Sequence, residues 1–152
     1  MITIKDGDIL KSTEDIIIHQ VNCAGIMGGG LAKQLARQFP KLEEYYRKVC
    51  RLYDFNYEKL KGKVYIFPSN NKYIANIFSQ KPNFNTDYEA MQKSLKIIRD
   101  YANKNNLSIA IPFKIGCGIA NGEWWRVEEI INKTFKGMKV TLYRLEKEQW
   151  KK

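Results

Sequence analysis

Short runs of β-branched and aromatic residues alternate along this chain with longer stretches whose apolar positions recur every three or four residues. Residues 2–5 and 16–21 read as strands, the second opening on the buried-strand signature Ile16-Ile17-Ile18. Leu31, Leu35 and Phe39, with Ala32 and Ala36 beside them, mark an amphipathic helix over 30–39. Pro40 ends that helix and opens a second through Leu42, Tyr45, Tyr46 and Val49. Strands at 64–67 and 73–78 are joined by a turn at Ser69-Asn70-Asn71. Thr86 and Glu89 form a capping box for a helix striped by Tyr88, Met91, Leu95 and Ile98. A buried-type strand at 107–112 follows, then a helix through Val127, Ile130, Ile131 and Phe135 that Gly137 terminates, then a strand at 140–145. Helices between short apolar strands imply an α/β fold with a mostly parallel or mixed sheet.

Two glycine-rich loops interrupt this alternation. Gly28-Gly29-Gly30 follows the second strand and enters a helix; Gly116-Cys117-Gly118 follows the strand ending at Pro112 and leads to another. Successive glycines let backbone N–H groups approach an anion, and a helix N-terminus adds its positive end. Tight turns alone would also use glycine, but two loops in the same strand–loop–helix context favour a phosphate cradle at the carboxyl ends of the strands. Neither loop has the spacing of a P-loop, and Gly28-Gly29-Gly30-Leu31-Ala32-Lys33 departs from the dinucleotide-binding fingerprint.

Composition narrows the classes further. At 152 residues and 44% hydrophobic content the chain suits one globular domain rather than a disordered segment. No apolar run approaches the length of a membrane span, and no secretory leader pattern is visible, so a cytoplasmic protein without membrane association is expected. Three scattered cysteines suit a reducing compartment, and a single histidine with no close cysteine pair offers no metal site. The net charge of +10 fits either a solvated basic surface or a polyanionic substrate.

Three motifs in order carry a family resemblance: Asp6-Gly7-Asp8-Ile9; Val21-Asn22-Cys23 with Gly28-Gly29-Gly30-Leu31-Ala32; and Ile111-Pro112 with Ile115-Gly116-Cys117-Gly118. Together they resemble the macrodomains, the ADP-ribose-binding modules, over nearly the whole chain. The block from Ile18 to Cys50 is most similar to the branch of ADP-ribose 1''-phosphate phosphatases and terminal ADP-ribose glycohydrolases. The resemblance implies one three-layer α/β/α macrodomain over 1–152, with a central mixed sheet of about six strands, acting as a monomer without cofactor or metal. It further implies that Asp8 accepts from the adenine amino group with the Ile9 backbone beside it, and that Asn22 contacts the distal ribose. Gly28, Gly29, Gly30 and Leu31 would line the distal ribose and phosphate, with Gly116, Cys117, Gly118 and Ile119 covering the diphosphate from the other side. Phe113, Phe78 and Trp124 are the candidates for an aromatic wall.

For chemistry the resemblance points to hydrolysis at the distal ribose, above all of ADP-ribose 1''-phosphate. A reader that does not turn ADP-ribose over, and a hydrolase freeing protein carboxylates or DNA of ADP-ribose, are the alternatives. His19 occupies a position where that branch carries a histidine, and reads either as acid/base or as a brace for the adjacent loop. Glu123 is a further carboxylate candidate, though a first-turn Glu also serves the helix dipole. Cys23 or Cys117 acting as nucleophile with His19 as base is a third arrangement. Two departures from the glycohydrolase pattern stand out. Ala120 occupies the place of an expected aspartate, and Ser79-Gln80 stands near the place of an expected lysine, with Lys81 displaced beyond it.

Overall fold

The computed structural model describes residues 2–145; residue 1 and residues 146–152 of the expected domain lie outside them. The elements run β1 (Ile2–Asp6), a 3-10 turn (Ile9–Lys11), β2 (Ile16–Val21), α1 (Gly30–Gln38), α2 (Leu42–Leu52), α3 (Tyr57–Leu60), β3 (Val64–Pro68), β4 (Tyr73–Phe78), α4 (Tyr88–Asn105), β5 (Ile109–Pro112), α5 (Trp124–Thr134) and β6 (Val140–Arg144). The strands form one sheet in the order β1-β6-β5-β2-β4-β3, parallel except for β3 against β4. This is the expected six-stranded mixed sheet between two helical layers.

The period-two rule sends alternate residues of β2 into different cores. Ile17 and Val21 join Leu35, Leu42, Tyr46 and Phe78 under α1–α3, whereas Ile16 and Ile18 join Leu95, Ile98, Val127 and Ile131 under α4 and α5. Both faces of β2 are therefore covered, as its run Ile16-Ile17-Ile18 requires. β2 and β5 lie side by side, and the helices that follow them cover opposite faces of the sheet. Their diverging carboxyl ends open a crevice at this switch point.

Three local expectations change. The N-cap of α4 is Asp87, whose carboxylate accepts from Ala90 N at 3.1 Å, and Thr86 is turned elsewhere. The second helix opens at Leu42 after Lys41 takes a left-handed φ of 77°, so Pro40 ends α1 without entering α2. α5 stops with Phe135 as its C-cap, two residues before Gly137, whose φ of 82° reverses the chain toward β6. The single-turn helix α3 and the 3-10 turn carry too little periodicity to be read from the sequence.

Candidate functional site

The crevice is an elongated cleft in two joined parts. The larger, about 500 Å3, is lined by the β2–α1 loop with Asn22 and Gly28–Gly30, by Gln80 and Phe84 after β4, and by Gly116, Gly118, Ile119 and Ala120 after β5. The smaller, about 260 Å3, holds Asp8, Ile9, Gln34, Tyr143 and Arg144. Gly30, Leu31, Pro112 and Phe113 border both parts, so the cavities are continuous.

Free donors converge on the larger part. No hydrogen bond within the described residues is made by the N–H groups of Gly28 and Gly29 on one wall, or of Gly118, Ile119 and Ala120 on the other. α1 starts at the same place, has no side-chain cap and no acidic residue in its first turn, and so leaves its leading N–H groups and positive end to whatever fills the cleft. A Cβ at Gly29 or at Gly118 would meet nothing within 4 Å, and neither residue has a left-handed φ. The fold does not require glycine at these two positions, and the missing side chains leave the cleft open there.

The glycines beneath the second loop are different. Gly116 has φ +75°, and a Cβ there would stand 2.9 Å from Thr86 Oγ1. Thr86 donates its hydroxyl to Gly116 O at 2.7 Å, Thr86 N donates to Ala120 O at 2.8 Å, and Gln20 Nε2 reaches Thr86 Oγ1 and Ser79 O. This polar knot ties the β5–α5 loop to the β4–α4 loop and to β2. Asn22 is tied as well: its Oδ1 accepts from Ala24 N at 2.9 Å and lies 2.6 Å from the Tyr46 hydroxyl. Its Nδ2 is left to donate into the cleft.

Asp8 lines the smaller part and caps the 3-10 turn at once, with Oδ1 accepting from Leu10 N at 2.9 Å and Oδ2 open. It is the only carboxylate among the residues lining either part. Cations border both: Lys114 in the larger part, and Arg144 in the smaller, paired with Asp6 at 2.7 Å. Of the aromatic candidates, Phe113 lines the cleft, Trp124 backs it at a centroid distance of 5.0 Å, and Phe78 lies in the core. Phe84 was not among the sequence candidates. It lines the larger part, is 57% exposed, and holds a left-handed φ of 72°, a strained state for a phenylalanine. A hydrophobe in a polar run of Asn and Pro was its one sequence signal.

Other candidates stand apart from the cleft. Glu123 does not line it: its carboxylate accepts from Trp125 Nε1 at 2.9 Å. Lys81 faces a separate groove with Tyr57 and Asp87, while its neighbour Gln80 takes the cleft position. The Cys117 thiol points to Ile115 O and the core, and Cys23 is buried; burial pushes both thiols above their ordinary pKa, away from the nucleophilic thiolate. Among the described residues no group of three or more His, Cys, Asp or Glu could hold a metal ion, and no helix is long and apolar enough to cross a membrane.

His19 borders the cleft floor but is buried. Asn76 donates Nδ2 to Tyr65 O, so its Oδ1 accepts from His19 Nε2–H, at 2.6 Å. Nδ1 therefore carries the lone pair, and it has no partner among the described residues. Desolvation, only partly offset by the Asn76 bond, lowers the His19 pKa from 6.5 to about 4. The ring is thus neutral at pH 7 and ties β2 to β4. Between pH 6.5 and pH 4 the unfolded chain takes up a proton that the folded chain refuses, so stability falls as pH drops through this window. The loss is on the order of 3 kcal/mol. Melting temperatures from pH 7 to pH 4 should fall steeply in the wild type, and less steeply in His19→Gln, which has no imidazole to titrate. Equal slopes in the two proteins would show that His19 does not control acid stability.

Comparison with known proteins agrees with this fold. The family model described as "Macro domain" matches residues 18–131. An ADP-ribose 1''-phosphate phosphatase of Candida glabrata is 29% identical over 182 residues, covering 91% of this chain and 96% of the relative. A DNA ADP-ribosyl glycohydrolase of Mycobacterium tuberculosis is 28% identical over 147 residues, covering 90% of this chain but 39% of that longer protein. The solved macrodomain of Mycobacterium tuberculosis DarG superposes with a TM-score of 0.82 at 25% identity, covering 94% of this chain and 97% of that one.

Proposed function

Since the chain belongs to the Macro domain family, we propose that its cleft binds ADP-ribose and that it hydrolyses derivatives of ADP-ribose at C1'' of the distal ribose. The observation that carries this reading is the pair of facing walls with unused N–H donors, Gly28–Gly29 and Gly118–Ala120, beside the uncapped start of α1. A diphosphate satisfies both walls at once. The adenine then lies in the smaller part, where the open Oδ2 of Asp8 accepts from its exocyclic amine and Phe113 offers a ring face. The distal ribose lies in the larger part, with Asn22 Nδ2 donating to a hydroxyl.

For the phosphate monoester, water attacks phosphorus, the P–O bond to C1'' breaks, and the products are ADP-ribose and inorganic phosphate. The donor walls and the Lys114 charge stabilise the negative charge that develops, the contribution this site is best built to make. No carboxylate stands at the distal end to act as base. Neutral His19, with Nε2–H committed to Asn76, acts as a brace for β2 and for the loop that follows it. The same lack of a carboxylate favours one second reading, a module that binds ADP-ribose and leaves it intact.

Calorimetry with ADP-ribose and phosphate release from ADP-ribose 1''-phosphate separate these readings. Micromolar binding with release is the expected result. Binding without release, and without freeing ADP-ribose from modified protein or DNA, would establish the reader. Absence of ADP-ribose binding would overturn both.

A further inference from the structure

The segment between β4 and α4 folds as a small hairpin. Asp87 N donates to Ser79 O at 2.8 Å, Gln80 and Thr86 form an antiparallel bridge, and Lys81 N donates to Asn85 O at 2.8 Å. The tip is a turn through Pro82 and Asn83, closed by Phe84 N donating to Lys81 O at 2.8 Å. Phe84 then takes its left-handed φ of 72°. Three-residue hairpin loops, a turn followed by one left-handed residue, favour glycine at that last position because a side chain there is strained. Glycine would serve the backbone better, yet the chain carries a phenylalanine. Its ring does little for the fold: it is exposed, belongs to neither core, and joins no ring pair among the described residues.

What the ring does face is the larger part of the cleft, and not the smaller. Two more exposed apolar side chains line that part, Ile26 from the β2–α1 loop and Ile119 from the β5–α5 loop. Three loops thus each set one apolar group beside the N–H donors. The hairpin is also fastened to the donor loop, by Thr86 N on Ala120 O at 2.8 Å and by Asn121 Nδ2 on Asn85 Oδ1 at 3.3 Å. Ring and donors therefore keep a fixed relation. We propose that Phe84 selects for the sugar beyond the diphosphate: its ring packs on the C–H face of the distal ribose, with Ile26 and Ile119 at the edges, so that ADP-ribose is bound in preference to ADP. This inference rests on the proposed ADP-ribose site. A ribose has an edge of hydroxyls and a face of C–H groups. Asn22 Nδ2 and the loop N–H groups suit the edge, whereas the face gains only from an apolar surface that leaves water with it. Strain of this kind persists where a ligand clamp uses it, and the bound sugar is what the Phe84 ring is held out to meet.

Calorimetry with ADP and with ADP-ribose, beside melting temperatures of the free proteins, tests this. Wild-type protein should bind ADP-ribose at least ~10-fold more tightly than ADP. Phe84→Gly should lose most of that ratio while its affinity for ADP stays within ~2-fold of wild type. Without ligand it should melt no lower than wild type, because glycine accepts the left-handed φ. Phe84→Asn, which tolerates that φ without a ring, should bind as Phe84→Gly does. Phe84→Tyr keeps the ring and should keep the wild-type ratio. An unchanged ratio in Phe84→Gly would overturn the inference. So would an equal loss of affinity for both nucleotides, which would mark the ring as a prop for the loop. A fall of more than ~4 °C in the melting temperature of Phe84→Gly would also overturn it, by showing that the ring packs into the fold. If wild-type protein binds both nucleotides equally, the cleft reading stands and sugar selection by Phe84 is refuted. If it binds neither, the cleft reading fails and this inference fails with it.

Discussion

Gly29→Asp is expected to make the protein more stable and to strip it of ADP-ribose affinity. Gly29 is the N-cap of α1, has φ −153°, and provides no side-chain cap. Aspartate accepts that backbone geometry, caps the N–H groups of the first turn, and complements the helix dipole. The expected gain is about 0.5–1 kcal/mol, read as a higher midpoint in thermal or urea unfolding. The same carboxylate would consume the donors proposed for the diphosphate and set a like charge beside it. A loss of at least ~100-fold in affinity, equivalent to about 2.8 kcal/mol, should appear in calorimetry. Gly29→Asn caps without the charge and should fall between the two. Full ADP-ribose affinity in Gly29→Asp would mean that no anion sits at the start of α1.

Gly122→Ala should damage fold and site together. A Cβ at Gly122 would lie 2.4 Å from Gly116 O and 3.1 Å from Gly116 C, both backbone atoms. Gly116 cannot retreat easily. Its carbonyl accepts from Gly122 N at 2.8 Å and from Thr86 Oγ1 at 2.7 Å, and its own Cα faces Thr86, Met91 and Gln20. Overpacking at this knot should cost about 2–3 kcal/mol, a fall in melting temperature of roughly 5–10 °C for a domain of this size. The donors at Gly118–Ala120 ride on the displaced loop, so ADP-ribose affinity should drop at least ~10-fold. Gly118→Ala, whose Cβ meets nothing within 4 Å, should keep its melting temperature and lose affinity only. An unchanged melting temperature in Gly122→Ala would show that the β5–α5 loop is not pinned through Gly116.

The major elements and their class were legible because burial imposes a period on the sequence. β2 must be apolar on both faces, and α1 and α4 on one, whatever their neighbours are. The two glycine loops were legible because glycine runs stand out between periodic elements; the left-handed φ of Gly30 and Gly116 accounts for part of them, while Gly29 and Gly118 answer no backbone need. Capping at Asp87 rather than Thr86 was not legible, since both residues suit an N-cap. Packing chose between them, because the Thr86 hydroxyl is needed by Gly116 O, thirty residues away in sequence. The acids of the site followed the same division. Asp8 lines the cleft, and its use as a turn cap does not compete with the adenine reading, since Oδ1 caps the turn and Oδ2 stays open. Glu123 fits the sequence pattern of a carboxylate beside the second loop, but its partner is Trp125.

From residue order alone come the α/β alternation, the family and the two glycine loops, since each depends on periods and short motifs within one stretch of chain. The roles of His19, Phe84 and Lys81 depend on which side of a strand or loop each residue takes, and on what the other strands place there. His19 is held by Asn76, which Tyr65 O fixes in turn, Phe84 enters the cleft from a loop that only the sheet order brings near it, and Lys81 turns to another groove. Those contacts join residues distant in sequence, and no local pattern encodes them. The glycines of the loops divide the same way: Gly116 and Gly122 serve the packing, whereas Gly29 and Gly118 leave open space in the cleft.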